Sequence, residues 1–328
     1  MERAVADALR DGRVIPAHPL ALTSDRKLDE ERQRALTRYY LDAGAGGVAV
    51  GVHTTQFAIH DPAVGLYRPV LELAAEELRG ADPSVIKVAG VLGPTGRAVR
   101  EAELAAGLDY DLALVAASSW GDVPEPEVLA GLRAVGEVLP VFGFYLQPAV
   151  GGRAFGVPFW RELASLPAVR AIKIAPFDRY RTLDVVHGVL ASGRAGEVAL
   201  YTGNDDAIVA DLVTPLPGGA RIVGGLLGQF AVWTAGAVAL HARIRRLVTA
   251  GEPIPADLLE LGAQLTDANA AVFDAANGFR GCIPGIHEVL VREGVLAGRW
   301  CLDPQEDLSP GQLAEIDRVW RAYPRLRG

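Results

Sequence analysis

Over positions 14–250 the chain alternates strand-length apolar runs with longer stretches of helical period, and it does so eight times. That repetition is the signature of β/α units around a parallel sheet. The spacing predicts strands at about 14–20, 47–52, 85–92, 112–117, 141–146, 169–175, 198–202 and 221–225. Helices are predicted at about 29–43, 66–78, 98–106, 126–138, 159–165, 183–191, 206–213 and 234–248. Eight successive units fit a closed (β/α)8 TIM barrel better than an open doubly wound sheet. Beyond Gly251 the pattern turns purely helical, with candidates at 256–276, 284–293 and 312–321. The chain therefore reads as a barrel over 1–250 and a C-terminal helical extension over 251–328 packed on it.

Several function classes fall away on composition. A net charge of −8 argues against a phosphate-backbone partner, so no nucleic acid is expected. Cys282 and Cys301 are too few for a disulfide framework or a cysteine zinc site. The opening MERAVADALRDGR has no apolar core, so no signal peptide is expected and the cytoplasm is the natural compartment. Positions 222–240 have transmembrane length without charge. Gly224, Gly225 and Gly228 break that stretch, which reads better as a buried strand, a loop and a helix start, with no membrane span.

Lysine is used sparingly, at Lys27, Lys87 and Lys173 only, against 29 arginines. A lysine inside the apolar run VRAIKIA is unlikely to serve merely as a surface cation. Unlike guanidinium, a desolvated amine can lose its proton and attack a carbonyl. Side-chain alternation, assigned by bulk, turns Ala171, Lys173 and Ala175 inward and Ile172 and Ile174 toward the helices. The same rule applied to 141–146 turns Phe142, Phe144 and Leu146 outward and Tyr145 inward, beside Lys173. On the second strand it places Ala49, Gly51 and His53 inside. Lys87 falls at the start of its strand, the barrel face associated with stability rather than chemistry.

The glycine clusters do not make nucleotide loops. Gly44, Gly46 and Gly47 run from helix to strand, the reverse of a dinucleotide fingerprint, and the stretch through Gly90, Gly93 and Gly96 lacks a Gly-Lys-Ser/Thr ending. His18, His53 and Asp205, each at a strand top, leave open a metal-dependent lyase. The loop His53-Thr54-Thr55-Gln56 offers hydroxyls and backbone N–H groups for a carboxylate or a proton relay. A non-catalytic ligand-binding barrel is a third alternative, since a fold does not fix function.

Lys173 in AIKIAPFD, Tyr145 in YLQPAVGG, the Thr54-Thr55 loop and YTGNDD at 201–206 occur in an order that resembles the family of dihydrodipicolinate synthase and N-acetylneuraminate lyase. These are pyruvate-type class I aldolases on a (β/α)8 barrel. The resemblance covers nearly the whole chain, including CLDP at 301–304. It implies a Schiff-base lyase or dehydratase that acts on a 2-oxo acid, pyruvate-type or sugar-acid, with no cofactor beyond the covalent lysine imine and no metal. By the same resemblance Lys173 is the nucleophile, Tyr145 shuttles protons with Thr54 or Thr55, the His53–Thr55 loop and Gly51 bind the carboxylate, and Gly203, Asn204 and Ala175 line the pocket. It also implies a homotetramer made of two dimers. The sequence departs from the family at Val150, where dihydrodipicolinate synthases carry an arginine for a second carboxylate. Arg153, three positions on, replaces it only if the loop folds back, so a lysine-biosynthetic role is not expected.

Overall fold

The computed structural model describes residues 2–327. Eight parallel strands, β1 (Val14–Pro16), β2 (Gly47–Val50), β3 (Ile86–Val91), β4 (Leu112–Ala116), β5 (Val141–Leu146), β6 (Val169–Ala175), β7 (Ala199–Thr202) and β8 (Ile222–Leu227), form one sheet in the order β1-β8-β7-β6-β5-β4-β3-β2. The last seam is short. A parallel bridge pairs Ala17 with Ala49, and the His18 N–H donates to the Ala49 carbonyl at 2.8 Å. The result is a nearly closed (β/α)8 TIM barrel with a C-terminal helical extension.

The described residues also form twelve α-helices, around the sheet and in the extension. They are α1 (Arg3–Asp11), α2 (Glu30–Asp42), α3 (Tyr67–Leu78), α4 (Thr95–Gly107), α5 (Glu125–Gly136), α6 (Val157–Ser165), α7 (Arg179–Ala191), α8 (Ile208–Val213), α9 (Thr234–Ala250), α10 (Ala256–Val272), α11 (Cys282–Arg292) and α12 (Gln312–Ala322). Local chemistry sets several starts. Asp29 accepts from the Arg32 N–H at 3.0 Å to cap α2, and Asp178 accepts from Tyr180 N–H at 2.8 Å to cap α7. The α1 helix was not expected from sequence. Its Val5, Ala8 and Leu9 close the N-terminal end of the barrel, where the Tyr201 hydroxyl donates to the Leu9 carbonyl at 2.9 Å. The stretch 222–240 resolves into β8, a 3-10 turn and the first residues of α9, and no helix among the described residues is long and apolar enough to cross a membrane.

Apolar side chains form two layers. One lies between sheet and helices and runs on into the extension, through Leu258, Leu265 and Ile286. The other fills the barrel and includes Ile15, Ala49, Leu112, Phe142, Phe144 and Ala171. The phase of β5 is therefore opposite to the one expected. Neighbouring parallel strands turn paired residues to the same face, and Phe144 pairs with Lys173 while Tyr145 pairs with Ile174. Phe142, Phe144 and Leu146 point into the barrel. Tyr145 points to the helices, where its ring lies 4.9 Å from that of Trp160. In a strand buried on both faces, bulk carries no information about which face is which.

Candidate active site

At the C-terminal ends of the strands a cavity of about 60 Å³ opens around Lys173. Its inner wall is Ala17, Phe144, Lys173, Ala175 and Gly203, and its polar groups are His53, Thr54, Gln147, Asp205 and Cys282. Leu146, Val150, Phe177, Phe273 and Phe279 supply most of the remaining lining. Lys173 is 7% exposed, and its Nζ sits 4.2 Å from the centroid of the Phe144 ring. Burial pulls its pKa down to about 8, against the opposing pull of the nearby Asp205 carboxylate. The same burial pushes Asp205 up from the ordinary carboxylate range, with Lys173 opposing. A neutral-amine fraction well above that of an unperturbed lysine favours a carbonyl nucleophile.

Two glycines shape this end of the barrel. A Cβ on Gly203 would lie 2.7 Å from both Ala175 Cβ and Lys173 Cε, so the absent side chain leaves room for the lysine stem. Gly51, at φ +76°, ends β2 and turns the chain so that the alternation stops there. Gly51 consequently does not line the cavity. A Cβ built on it would meet Tyr67 and Leu71 on the helix side.

The turn at His53–Thr55 follows immediately. The Thr55 hydroxyl is fully engaged: it donates to the His18 carbonyl at 2.6 Å and accepts from the N–H groups of Gly51 at 3.0 Å and Val52 at 3.1 Å. The Thr54 hydroxyl lines the cavity but donates to the Ala17 carbonyl at 2.8 Å. What the turn offers is backbone. The N–H groups of His53 and Thr54, at the start of a 3-10 helix, have no acceptor among the described residues and suit a carboxylate. Burial, then the charge of Lys173, lowers the His53 imidazole to about 4, so it is neutral at physiological pH.

Other expectations are corrected by placement. Asn204 is buried beside the cavity but turned away from it. Its Oδ1 accepts from the Phe177 N–H at 3.0 Å and its Nδ2 donates to Asp211 at 3.0 Å, which makes it a support for the loop after β6. Arg153 does not fold back. It donates to the carbonyls of Gly121 at 3.2 Å and Val123 at 2.6 Å, so the cavity gains no guanidinium. His18 is bonded to Thr37 at 2.9 Å and Gln33 at 3.0 Å, so it does not converge with His53 and Asp205. Tyr145, buried on the far side of the sheet, does not line the cavity. Tyr145→Phe should therefore change turnover by less than about threefold, the range of a substitution remote from the reacting atoms. A larger loss in steady-state assays would return Tyr145 to the site.

Asp205, which the sequence suggests only as a metal ligand, stands in the cavity beside Lys173. It follows β7, its Oδ1 accepts from the Gln229 N–H at 2.9 Å, and its backbone carbonyl accepts from Asn269 Nδ2 at 2.7 Å. The signal was present, because a carboxylate just past the C-terminal end of a barrel strand is where catalytic groups are placed. Phe273, Phe279 and Cys282 come from the helical extension, so the part of the chain that looked like an appendix walls the cavity.

No family model matches the sequence, and no curated protein is similar to it in sequence. Solved structures do match. A dihydrodipicolinate synthase from Oceanobacillus iheyensis superposes with a TM-score of 0.79 at 17% identity, over 98% of this chain and 99% of its own. An N-acetylneuraminate lyase from Mycoplasma synoviae gives 0.73 at 15% identity, over 96% of this chain and 98% of its own. A prophage protein of the dihydrodipicolinic acid synthase family from E. coli K12, in complex with pyruvate, gives 0.77 at 18% identity, over 96% and 98%. The chain has the fold of these proteins from end to end.

Proposed function

We propose that the chain is a Schiff-base-forming lyase of the class I aldolase type, acting on a small 2-oxo acid through Lys173. The observation that carries this reading is a single buried amine, its pKa lowered by burial, in a cavity at the catalytic end of a (β/α)8 barrel. The fold shared with dihydrodipicolinate synthase and N-acetylneuraminate lyase structures supports it.

The chemistry runs as follows. The neutral amine of Lys173 adds to the ketone carbon, and the carbinolamine loses water to give a protonated imine. In the cleavage direction, with a 4-hydroxy-2-oxo acid, the C3–C4 electron pair moves into the imine as the bond breaks. The proton of the C4 hydroxyl passes to Asp205, the carboxyl among the lining residues, and an aldehyde departs. The remaining enamine takes a proton at C3, and water hydrolyses the imine to release the acid and restore Lys173. The free N–H groups of His53 and Thr54 hold the substrate carboxylate. Because the imine is the electron sink, the reading requires no metal. The test is incubation with pyruvate and borohydride, whose hydride reduces C=N to a stable secondary amine.

The pH dependence follows from the direction of the Lys173 shift. The rate of trapping should rise with a midpoint near pH 8 and level off above it, because the neutral amine is the reactive form. An unperturbed lysine would not level off until above about pH 10. Stopped-time mass spectrometry across that range distinguishes the two. The cavity wall also sets a limit on the second substrate. With Val150 facing the cavity and Arg153 engaged elsewhere, turnover of pyruvate with aspartate semialdehyde should be poor, because a second carboxylate finds no bidentate cation. Efficient product formation in a coupled reductase assay would contradict this.

A further inference from the structure

We infer that the substituent carried beyond C4 of the 2-oxo acid, the part that leaves as aldehyde, is apolar, aromatic or bulky aliphatic, and neither polyhydroxylated nor charged. The inference rests on the Schiff-base reading and specifies its substrate class. Its basis is how the lining divides. Most of the groups able to hydrogen-bond lie around the lysine: the His53 and Thr54 N–H groups, and Asp205 after β7, with Gln147, just past β5, the one side-chain amide on the outer wall. They are matched by the carboxylate, the reacting carbonyl and the C4 hydroxyl.

The outer part of the cavity, past the strand ends, is built mostly of Leu146, Val150, Phe177, Phe273 and Phe279. Phe177 comes from the loop after β6 and Phe279 from the helical extension. Their rings meet edge to face with centroids 5.6 Å apart and planes inclined at 67°. Both residues have a left-handed backbone, φ +54° and +67°, a conformation that bulky side chains rarely adopt. Each backbone is held there, the Phe177 N–H by Asn204 Oδ1 at 3.0 Å and the Phe279 N–H by the Asp274 carbonyl at 3.0 Å. Two independent segments thus adopt an unfavoured conformation with the same outcome, an aromatic ring against the cavity. A chain of sugar hydroxyls seated against these five side chains would lose hydrogen bonds to water with only the Gln147 amide to replace them, whereas a phenyl or branched alkyl group gains by burial.

The test is a competition. The protein is incubated with equimolar 2-oxo-4-phenylbutanoate and 2-keto-3-deoxygluconate, then reduced with borohydride, and the phenyl adduct is weighed by intact mass against the sugar-acid adduct together with the pyruvate adduct that its cleavage leaves. A parallel tube receives pyruvate alone. The expected result is an excess of the phenyl adduct of roughly tenfold or more, the effect of burying an aromatic ring. A ratio near one, or an excess of the sugar-acid adduct, overturns the inference while the pyruvate tube still supports the Schiff base. An absence of adduct in every tube removes the underlying reading and the inference with it. Phe279→Asn, chosen because asparagine tolerates a left-handed backbone, should move the ratio toward the sugar acid several-fold. An unchanged ratio would show that this ring does not set the preference.

Discussion

Asp205→Asn is expected to lower turnover of a 4-hydroxy-2-oxo acid by roughly 10²–10⁴-fold, the usual cost of losing a positioned acid–base group, while the Lys173 adduct remains trappable. The substitution keeps shape and the oxygen that accepts from the Gln229 N–H, so the loop after β7 retains that anchor. What it removes is a group that can take the C4 hydroxyl proton and return a proton to the enamine. It also removes the negative charge that opposes the fall of the Lys173 pKa. The amine should then titrate lower still, and the trapping midpoint should move below that of the parent protein as turnover collapses. A merely structural aspartate would weaken both readouts together. That opposition in sign is the reason to measure both.

The second large effect belongs to the amine. Lys173→Arg keeps the charge but replaces a usable nucleophile with a guanidinium that stays protonated, and turnover should fall by about 10⁴-fold or more, as when a covalent nucleophile is removed. The bulkier head must also fit beside Phe144, whose ring is 4.2 Å from Nζ. Lys173→Met, close to the lysine stem in shape and without charge, separates lost chemistry from lost packing. Both variants should be inactive, and circular dichroism of the methionine variant should match the parent.

The sequence disclosed most of the frame. β5 and β6 begin and end where apolar runs predicted, and the segment after Gly251 is helical. Lysine scarcity, together with the apolar run 169–175 and its alternation, singles out Lys173. The errors have physical causes. Bulk alone turns Phe142, Phe144 and Leu146 outward and Tyr145 inward, yet the parallel register places Phe144 and Lys173 on one face. Register between strands is a long-range property, and no local pattern in 141–146 encodes it. The engagement of the threonine pair has another origin. A left-handed Gly51 leaves two N–H groups for Thr55 to satisfy, and that demand is visible only once the turn is built. The walls supplied by Phe273, Phe279 and Cys282 depend on where the extension docks, which sequence periodicity does not state.

The proposed activity turns on one covalent bond, to Lys173. Incubation with pyruvate and borohydride at pH 8, followed by proteolysis and peptide mass mapping, should place a single reduced adduct on the peptide that contains Lys173, with none in Lys173→Arg. An adduct on Lys27 or Lys87, an adduct that persists in Lys173→Arg, or an unmodified Lys173 at saturating pyruvate would contradict it.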